Sequence, residues 1–462
     1  MLKNVKFNRK ERDMIPEGFL SRMKDILTED FEAFEKALGQ PNVRGIRVNT
    51  NKISVEDFKS KTSFTLSPID YAEDGFIPDN TDGIGRSAEH HAGMFYVQDP
   101  GAMATVKALD IKEGWRVLDS CAAPGGKASQ LAAAIGEGGF LLANEYVPKR
   151  AKIIVSNFER LGIKNALVTS LDTAKLREMF RGYFDLVLCD APCSGEGMFR
   201  KYDEAVSEWS EDNVRLCATR QREILNNLAS MVKGGGYLLY STCTYSREEN
   251  EETVADFINT HPEFSLCEVN EKLCSATADG LLGLKETRRF YPHLTPGEGQ
   301  YIALMKKSEN IDNLPTILYK ENVKTPTKEE ISVTRKFISD NISCDLTGRL
   351  IKWGEDIALI PHDLPIPPYS VFMPGVLLGQ VKKNNFFPHH QLFSAYGDKF
   401  KRQENLTRGD PRVEKYLRGE EIEAKESDGG WCAIMYEGIS LGGGKVSGGV
   451  VKNHYPKGLR NN

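Results

Sequence analysis

No run of apolar residues in this sequence of 462 residues is long enough to cross a membrane as a helix, and neither sign of charge predominates. A membrane-spanning helix needs about 18 or more consecutive apolar residues, and the first residues also lack the apolar core of a secretory signal. The 60 basic and 65 acidic residues give a net charge of -5, which excludes a uniformly basic nucleic-acid-binding chain but allows a local basic surface. We therefore expect a cytoplasmic protein that has no contact with membranes.

Paired cysteines and phosphate-binding motifs are also missing. The nine cysteines form no CxxC pair and no His/Cys cluster at zinc spacing, and their odd number disfavours a disulfide framework. We therefore expect free thiols and no metal site. The sequence also lacks GxGxxG and GxxxxGK[ST], the motifs of dinucleotide-binding and nucleoside-triphosphate-binding proteins.

Strands and helices alternate between Trp115 and Lys306, the most regular part of the sequence. Helical spacing of apolar residues predicts helices between short apolar segments. Those segments predict strands over 115–123, 138–146, 166–172, 184–192 and 235–244. This order is typical of an α/β fold with a doubly wound, Rossmann-like parallel sheet.

The regions on either side have different patterns. An amphipathic helix over 19–38 and an extended segment over 43–50 predict an α+β N-terminal domain. Residues 307–328 are polar and contain prolines, as linkers do, and the remainder is rich in glycine with short strand-like segments. We predict domains over 1–100, 101–308 and 376–462, with a linker or intermediate domain over 309–375.

The turn after the first predicted strand has the composition of a cofactor site. Small residues at the carboxyl end of a strand in such a sheet allow a ligand to approach the backbone. The turn residues that we predict to contact a cofactor are Cys121, Ala122, Ala123, Pro124, Gly125, Gly126 and Lys127. An acidic residue lies at the end of each of the next three predicted strands. Glu145 is placed to accept hydrogen bonds from the hydroxyls of a ribose, and Asp172 is placed to accept one from an adenine amino group. Asp190 is the third acid at this edge of the sheet. Carboxylates beside a turn that lacks a phosphate-binding motif favour S-adenosylmethionine over NAD as the cofactor.

Two cysteines follow the fourth and fifth predicted strands, Cys193 in the sequence DAPCSG and Cys243 in the sequence STCTY. Adjacent strands lie about 5 Å apart, so we expect both thiols and Asp190 to meet in one pocket. A thiolate that adds to carbon 6 of a pyrimidine makes carbon 5 nucleophilic enough to accept a methyl group, and a carboxyl group at ring N3 stabilises the adduct. Chemistry alone allows either cysteine to be the nucleophile.

Four segments together resemble the RNA (cytosine-carbon-5) methyltransferases of the Fmu/Sun family: SCAAPGGKASQL, FDLVLCDAPCSGEGMFRK, YSTCTYSREENEETV and RRFYPHLTPGEGQYIAL. The C-terminal third resembles the RsmF branch of that family, which carries a PUA-like RNA-binding β module and acts on 16S ribosomal RNA in the decoding region. The resemblance implies a methyltransferase that uses S-adenosylmethionine and has RNA as its partner, and we expect it to be a monomer.

The resemblance also implies roles for individual residues. Cys243 matches the nucleophile, and Cys193 matches the second cysteine, which releases the methylated RNA from the covalent adduct. The positions that match cofactor-binding residues are Cys121 to Lys127, Glu145, Asp172 and Asp190, with Lys149 and Arg150 beside them.

Other functions stay open at this point. The main alternatives are a tRNA cytosine-C5 methyltransferase and a non-catalytic rRNA-binding assembly factor with a methyltransferase fold. A DNA cytosine methyltransferase would use the cysteine that follows proline, Cys193, and would leave Cys243 without a role. Segment 441–462 contains no acid, and its basic residues are either a solvated surface or a grip on RNA phosphates. These residues are Lys445, Lys452, Lys457 and Arg460.

Overall fold

The computed structural model describes residues 15–309, 316–360, 366–425 and 429–461. The strands, numbered in chain order, are β1 (Gly45–Val48), β2 (Leu66–Ile69), β3 (Ala72–Pro78), β4 (Phe95–Gln98), β5 (Arg116–Asp119), β6 (Phe140–Asn144), β7 (Ala166–Thr169), β8 (Phe180–Arg181), β9 (Phe184–Asp190), β10 (Val232–Thr242), β11 (Phe264–Cys267), β12 (Ala278–Asp279), β13 (Arg288–Phe290), β14 (Gln300–Lys307), β15 (Thr316–Ile317), β16 (Arg349–Trp353), β17 (Asp356–Ile360), β18 (Val371–Met373), β19 (Val376–Lys382), β20 (Asn385–Pro388), β21 (Gln403–Leu406), β22 (Ile422–Glu423), β23 (Gly430–Tyr436), β24 (Ile439–Ser447) and β25 (Val450–Asn453). The helices are α1 (Glu17–Leu27), α2 (Phe31–Leu38), α3 (Val55–Lys61), α4 (Ala88–His91), α5 (Pro100–Val106), α6 (Gly126–Ala134), α7 (Pro148–Leu161), α8 (Thr173–Met179), α9 (Asp203–Ser207), α10 (Glu211–Ala229), α11 (Glu251–Thr260), α12 (Glu271–Cys274), α13 (Lys328–Asn341), α14 (His390–Tyr396) and α15 (Arg412–Leu417). Within the described ranges, no helix has the length and apolar character needed to cross a membrane.

The largest sheet has ten strands. Five of them run parallel in the order β10-β9-β5-β6-β7, and β14 joins β10 antiparallel. These five parallel strands correspond to the five predicted ones, so the prediction of a doubly wound α/β core is confirmed. The strand order reverses between β5 and β9, and sheets of this kind bind ligands at the carboxyl ends of the strands on either side of such a point.

Both faces of this sheet are buried, which explains why its central strands are apolar throughout instead of alternating. Along β6, Leu141 and Ala143 belong to one apolar core, and Phe140 and Leu142 belong to the core on the other face. Side chains within these strands therefore pack in the apolar cores on the two faces of the sheet. Only the loops at the strand ends are left to reach a ligand.

The segment between the predicted catalytic and C-terminal domains contributes to the catalytic sheet. β18 pairs antiparallel with β7 at the edge of that sheet, and β15 pairs with β8. The next strand, β19, pairs with β17 and β20 in a separate four-stranded sheet. The predicted boundary between residues 375 and 376 therefore falls between two strands that belong to different sheets.

The amphipathic segment over 19–38 forms two helices instead of the single helix that its periodicity predicts. Thr28 has a φ of 47°, which a β-branched residue rarely adopts, and a 3₁₀ turn separates α1 from α2 there. Phe19 of α1 and Phe34 of α2 pack against Tyr245 of the catalytic domain. The N-terminal helices thus support the loop that carries Cys243.

The N-terminal sheet and the C-terminal module share one apolar core. Ile46 of β1 and Ile434 of β23 belong to this core. Lys52 adds polar contacts at the same junction, because its ammonium donates to the carbonyl oxygens of Arg160 at 3.2 Å and Ser440 at 3.4 Å. The two ends of the described chain are therefore packed together against the C-terminal end of α7.

Candidate active site

The carboxyl ends of β5, β6 and β7, which we call the cofactor end, hold the turn that was predicted to contact the cofactor. β5 ends at Asp119, and α6 begins at Gly126. Gly125 has a φ of 108°, a left-handed backbone in which a side chain is strained, and a Cβ on Gly126 would lie 3.0 Å from the ring of Tyr96. Glycine at both positions lets the backbone turn tightly and pack closely on its neighbours. Of the predicted turn residues, Cys121, Ala123, Pro124 and Lys127 line the cavity, whereas Ala122, Gly125 and Gly126 do not.

Glu145, which follows β6, has one oxygen committed to the protein and a second oxygen placed for a ligand. Its side chain is buried, and Oε1 accepts a hydrogen bond of 2.9 Å from the amide of Val147. Oε2 is also buried and accepts no hydrogen bond from any residue that the structure describes, although Arg150 Nη1 lies 3.3 Å away. Buried polar atoms are normally hydrogen-bonded, so this oxygen fits an acceptor for a ribose hydroxyl of a bound cofactor.

The other residues predicted near the cofactor differ in their surroundings. Asp172 is exposed, lines the cavity, and caps α8 by accepting a 2.8 Å hydrogen bond from the amide of Ala174. Arg150 donates to the carbonyl oxygen of Ala123 at 3.2 Å and so supports the turn. Lys149 is exposed and is not among the residues that line the cavity.

One cavity of about 1010 Å³ joins the cofactor end to the carboxyl ends of β9 and β10, which we call the thiol end. This volume is enough for a cofactor together with part of a nucleotide. Tyr146 and Tyr202 line the cavity and are 68% and 55% exposed, and aromatic side chains of this kind can stack on a nucleobase. The sequence analysis did not single out several lining residues, among them Asp99, Met198, Tyr202, Arg220, Asn227 and Gln300. Among the residues that the structure describes, no three His, Cys, Asp or Glu side chains are grouped as a metal site requires.

Cys193 and Cys243 meet at the thiol end, as the strand order predicts. β9 and β10 are parallel neighbours with Asp190 opposite Ser241, so the loops that follow them leave the sheet side by side. The two sulfur atoms lie 3.3 Å apart. The hydrogen bond with Cys243, together with burial, raises the pKa of Cys193 well above its usual value. Cys193 is therefore held as a protonated thiol next to the second sulfur.

Asp190 is paired with Lys127 between the cofactor turn and the thiols. The ammonium of Lys127 lies 2.9 Å from Asp190 Oδ2, and the hydroxyl of Ser241 donates to Oδ1 at 2.7 Å. Burial lowers the pKa of Lys127, but the charges of Asp190 and Cys243 outweigh burial, so the pKa is raised. The ammonium therefore acts on both Asp190 and the Cys243 sulfur, a link that the sequence analysis missed because it assigned Lys127 to the cofactor alone.

Asp119 is a second acid close to Asp190. Burial and the charge of Asp190 raise the pKa of Asp119 to about 8, so this carboxyl group is largely neutral at pH 7. A neutral acid beneath the cofactor turn keeps the number of negative charges there low.

The basic residues at the C-terminus do not form one uniform group. Lys445, Lys452 and Lys457 are exposed, and the first two are paired across β24 and β25. Arg460 is half-buried and donates through Nε and Nη2 to the carbonyl oxygen of Tyr455, at 3.3 and 3.2 Å. The three lysines thus lie at the surface, with the ammonium of Lys445 5.6 Å from the ring centre of Trp431, while Arg460 holds the end of the chain in place.

Three family models match consecutive parts of the chain. They are the N-terminal domain of 16S rRNA methyltransferase RsmF over residues 15–100, 16S rRNA methyltransferase RsmB/F over residues 106–306, and the methyltransferase RsmF PUA domain over residues 403–461. The chain is 32% identical to ribosomal RNA small subunit methyltransferase F of Vibrio vulnificus, over 96% of this chain and 97% of the relative. It is 34% identical to the protein of the same name in Klebsiella pneumoniae, over 96% of both chains. The chain belongs to the RsmF family.

Solved structures agree with the methyltransferase fold. A methyltransferase homolog protein from Pyrococcus horikoshii is 28% identical, with a TM-score of 0.56 over 65% of this chain and 99% of that chain. NSun6 from the same organism, crystallised with SFG, is 22% identical with a TM-score of 0.55, over 63% of this chain and 98% of that chain, and it supports the fold alone. RsmF membership confirms the resemblance stated from the motifs, the PUA-like C-terminal module and S-adenosylmethionine as the cofactor.

Proposed function

We propose that the protein transfers a methyl group from S-adenosylmethionine to carbon 5 of a cytosine in 16S ribosomal RNA, through a covalent bond between Cys243 and carbon 6 of the ring. The RsmF family supplies the class of reaction, methyl transfer to ribosomal RNA. The observation that carries the finer proposal is the pair of sulfur atoms 3.3 Å apart, at one end of a cavity whose other end is the cofactor turn.

The cofactor is proposed to lie along the turn from Cys121 to Lys127. The buried Oε2 of Glu145 would accept from its ribose hydroxyls, and Asp172, which lines the same cavity, would accept from its adenine amino group. When bound, S-adenosylmethionine supplies an electrophilic methyl group on a sulfonium. The small residues of the turn admit it without a steric barrier.

Two observations favour Cys243 over Cys193 as the nucleophile. A thiolate is the reactive form of cysteine, and the charge of Cys243 contributes to the raised pKa of Lys127, so these two groups interact. Cys193 instead has a pKa raised well above its usual value by its hydrogen bond to Cys243 and by burial. These neighbours support Cys243 as the nucleophile, the role that the resemblance of its motif implies.

The proposed reaction begins when Cys243 forms a bond to carbon 6 and the ring electrons move onto N3. A proton reaches N3 from the Lys127–Asp190 pair, whose Nζ and Oδ2 lie 2.9 Å apart. Carbon 5 is now nucleophilic and takes the methyl group. A base then removes the proton from carbon 5, and the electron pair expels the Cys243 sulfur and restores the ring.

Cys193 is placed to act in this last step. Its sulfur lies 3.3 Å from the sulfur that must leave. As the Cys243 sulfur leaves, Cys193 passes its thiol proton to that sulfur and accepts the proton of carbon 5, while the N3 proton returns to the Lys127–Asp190 pair. Without Cys193 the covalent bond between Cys243 and carbon 6 is not broken, and the adduct accumulates.

The target cytosine must leave its stack, because carbon 6 is attacked from above the ring plane. Flipping costs a few kcal/mol and costs least in loops, bulges and unfolded strands. Tyr146 and Tyr202, with exposed rings in the cavity, are proposed to stack on the adenine of the cofactor and on the flipped base. We therefore propose a weakly paired cytosine as the target.

The test compares C193A and C243A after incubation with S-adenosylmethionine and labelled 16S rRNA, on a denaturing gel. C193A is expected to accumulate a protein–RNA adduct, because it attacks carbon 6 but does not eliminate the thiol. C243A is expected to form no adduct and no 5-methylcytosine. C344A, which removes an exposed thiol, serves as the matched control and should behave like the parent.

The opposite pattern, with an adduct in C243A and none in C193A, would exchange the roles of the two cysteines. Methylation of tRNA by the parent without methylation of 16S rRNA would overturn the substrate and keep the chemistry. We also propose that the protein acts as a monomer in the cytoplasm, since one chain supplies both thiols and the cofactor turn. Light scattering that gives the mass of two chains would contradict the monomer.

A further inference from the structure

A row of hydrogen bonds runs behind the two thiols and connects the loops that carry them. Its ends are the carboxyl groups of Glu249 and Glu196, and its middle consists of Ser194 and Thr244, the residues that follow the two cysteines. Ser194 Oγ lies 2.5 Å from Glu249 Oε1 and 2.9 Å from Thr244 Oγ1. Thr244 Oγ1 lies 2.8 Å from Glu196 Oε2. All four side chains are buried, so solvent takes no part in this row.

The number of protons in the row is limited. Each of the hydrogen bonds from Glu249 to Ser194, from Ser194 to Thr244 and from Thr244 to Glu196 needs one proton between its two oxygens. Each hydroxyl carries a single proton, so Ser194 and Thr244 together supply one fewer than the row needs. The missing proton must come from a carboxyl group, and one of the two glutamates is therefore protonated.

Glu196 is the less favourable carrier of this proton, because both of its oxygens accept from donors outside the row. Its Oε1 accepts from the indole nitrogen of Trp209 at 2.9 Å, and its Oε2 accepts from the backbone amide of Tyr245 at 3.0 Å. Both partners are donors only. A proton on Oε1 would point at the indole proton, and a proton on Oε2 would face the Thr244 hydroxyl but weaken that oxygen as the acceptor for the Tyr245 amide, so the geometry favours Glu196 as the ionised member of the pair.

Glu249 has one oxygen that can carry the proton. Its Oε2 accepts from the backbone amide of Ser194 at 2.9 Å and from Gln221 Nε2 at 2.8 Å, and Nε2 is identified by its second bond to the carbonyl oxygen of Pro192. Its Oε1 is bonded to the Ser194 hydroxyl, which accepts as well as donates. The proton therefore fits on Oε1.

We propose that Glu249 is a positioning residue that carries a proton on Oε1 and thereby holds Cys193 and Cys243 side by side. Glu249 donates to Ser194, Ser194 donates to Thr244, and Thr244 donates to Glu196. When Glu249 loses its proton, Ser194 turns to donate to the carboxylate, and no proton remains between the two hydroxyls. The link between the two cysteine loops is then broken. This inference rests on the proposed roles of the two thiols.

The surroundings favour a neutral Glu249. Burial raises the pKa of Glu249 to about 7, the charge of Glu196 adds to the increase, and the hydrogen bonds from Ser194 and Gln221 oppose it. Burial also raises the pKa of Glu196. The other titratable or charged groups that interact with this pair are Cys193, Cys217, Tyr240, Tyr245 and Arg22. The Arg22 guanidinium is bonded to Glu248 at 2.6 Å and acts on Glu196, which agrees with Glu196 as the ionised member.

The first experiment compares the same chemical change at the two ends of the row. In E249Q the amide nitrogen takes the place of the protonated Oε1 and donates to Ser194, so the variant should keep most of its single-turnover methylation rate near neutral pH. In E196Q the amide nitrogen must face Trp209 or Tyr245, both donors. E196Q should lose roughly tenfold or more at every pH, the effect of about one buried hydrogen bond.

The pH dependence separates positioning from a general structural role. Both proteins contain the same thiols, so the ratio of the E249Q rate to the parent rate cancels their titration. This ratio should rise by roughly tenfold as pH passes through about 7, because only the parent loses the proton. The comparison is repeated in the T244V background, where the row is already interrupted and the ratio should stay flat. A flat ratio with Thr244 present, or equal rates for E196Q and E249Q, would overturn the proposal.

A second measurement detects the proton on Glu249 by infrared spectroscopy and does not depend on catalysis. At about pH 6 exposed carboxyl groups are ionised, so an infrared band of a protonated carboxyl group that disappears in E249Q belongs to Glu249. Asp119, a second neutral acid, stays in both samples and cancels in the difference. The band should be present in C243A as well, whether or not the proposed function is correct. Its absence from the parent would overturn the shared proton, whereas active C243A with the band present would overturn only the proposed function.

Discussion

The cofactor end and the thiol end of the cavity are built in different ways. The cofactor end is made by residues of one turn, of which Cys121, Ala123, Pro124 and Lys127 line the cavity, and by Glu145 at the end of the next strand. The thiol end brings together Cys193 and Cys243, which are 50 residues apart, and holds them with buried carboxyl groups. A site made from one turn depends on local conformation. A site made from two loops depends on side chains that lie behind it.

The two ends also differ in how their charged groups are balanced. At the cofactor end the pKa of Asp119 is raised by burial and by the charge of Asp190, and Glu145 keeps an oxygen for a ligand. At the thiol end Lys127 and Asp190 neutralise each other. Substitutions at the two ends should therefore separate the chemical step from cofactor binding.

The largest expected effect is on the chemical step, in D190N. The variant lacks the carboxylate that pairs with Lys127 and accepts from Ser241, so transition-state charge on the ring is no longer balanced. Single-turnover methylation at saturating cofactor should fall by roughly 10²–10⁴-fold. Cofactor affinity, measured by calorimetry, should change by a small factor only. A large loss of affinity with an unchanged rate would place Asp190 at the cofactor end.

The reverse pattern is expected for E145A. Losing the hydrogen bonds to a charged acceptor should cost about 2–4 kcal/mol of cofactor binding, or roughly 30- to 1000-fold in affinity. The rate at saturating cofactor should stay close to that of the parent. E137A, which removes an exposed carboxylate paired with Lys164, is the matched control for calorimetry. Unchanged affinity in E145A would remove Glu145 from the cofactor site.

At Asp119, the pH dependence of the free energy of unfolding tests the raised pKa at the cofactor end. Its pKa rises from 3.8 in the unfolded chain to about 8 in the folded protein, so the folded state binds a proton that the unfolded state releases between these values. Its contribution to the free energy of unfolding is therefore fully present below about pH 4 and is lost as pH rises toward 8. D119N should gain stability relative to the parent over this range, on the order of a few kcal/mol. Urea unfolding without cofactor measures it, and a constant difference across pH would contradict the raised pKa.

The smallest effect is expected from the exposed lysines of the C-terminal module, far from either end of the cavity. Replacing Lys445, Lys452 and Lys457 by Gln should flatten the dependence of log K on log salt for RNA binding by about two to three units. R460Q is the matched control, because Arg460 is bonded to the Tyr455 carbonyl and should change stability and leave the slope unaltered. RNA-binding curves at several salt concentrations measure the slope for the triple variant and for R460Q. An unchanged slope in the triple variant would mean that these lysines only contact solvent.

Motifs at strand ends predicted the cofactor turn and the meeting of the two thiols, because the carboxyl ends of parallel strands share one edge of the sheet. The same reasoning did not show the second partner of Lys127, because an interaction with Cys243 depends on how far a side chain reaches across the cavity. Sequence charge grouped Arg460 with three lysines, whereas the fold turns it back onto Tyr455. Charge counts do not distinguish a side chain that is free from one that is bonded.

Sequence by itself determined the alternation of apolar strands and helices, the two cysteine motifs and the glycine turn, since each depends on residues close together in the chain. Only the tertiary structure decided that β18 extends the catalytic sheet, that Ile46 and Ile434 share a core, and that Glu249 and Glu196 stand behind the thiols. These features depend on residues distant in the chain that become neighbours on folding. A buried acid has no local pattern of its own, because its protonation follows from the donors and acceptors that the fold places around it.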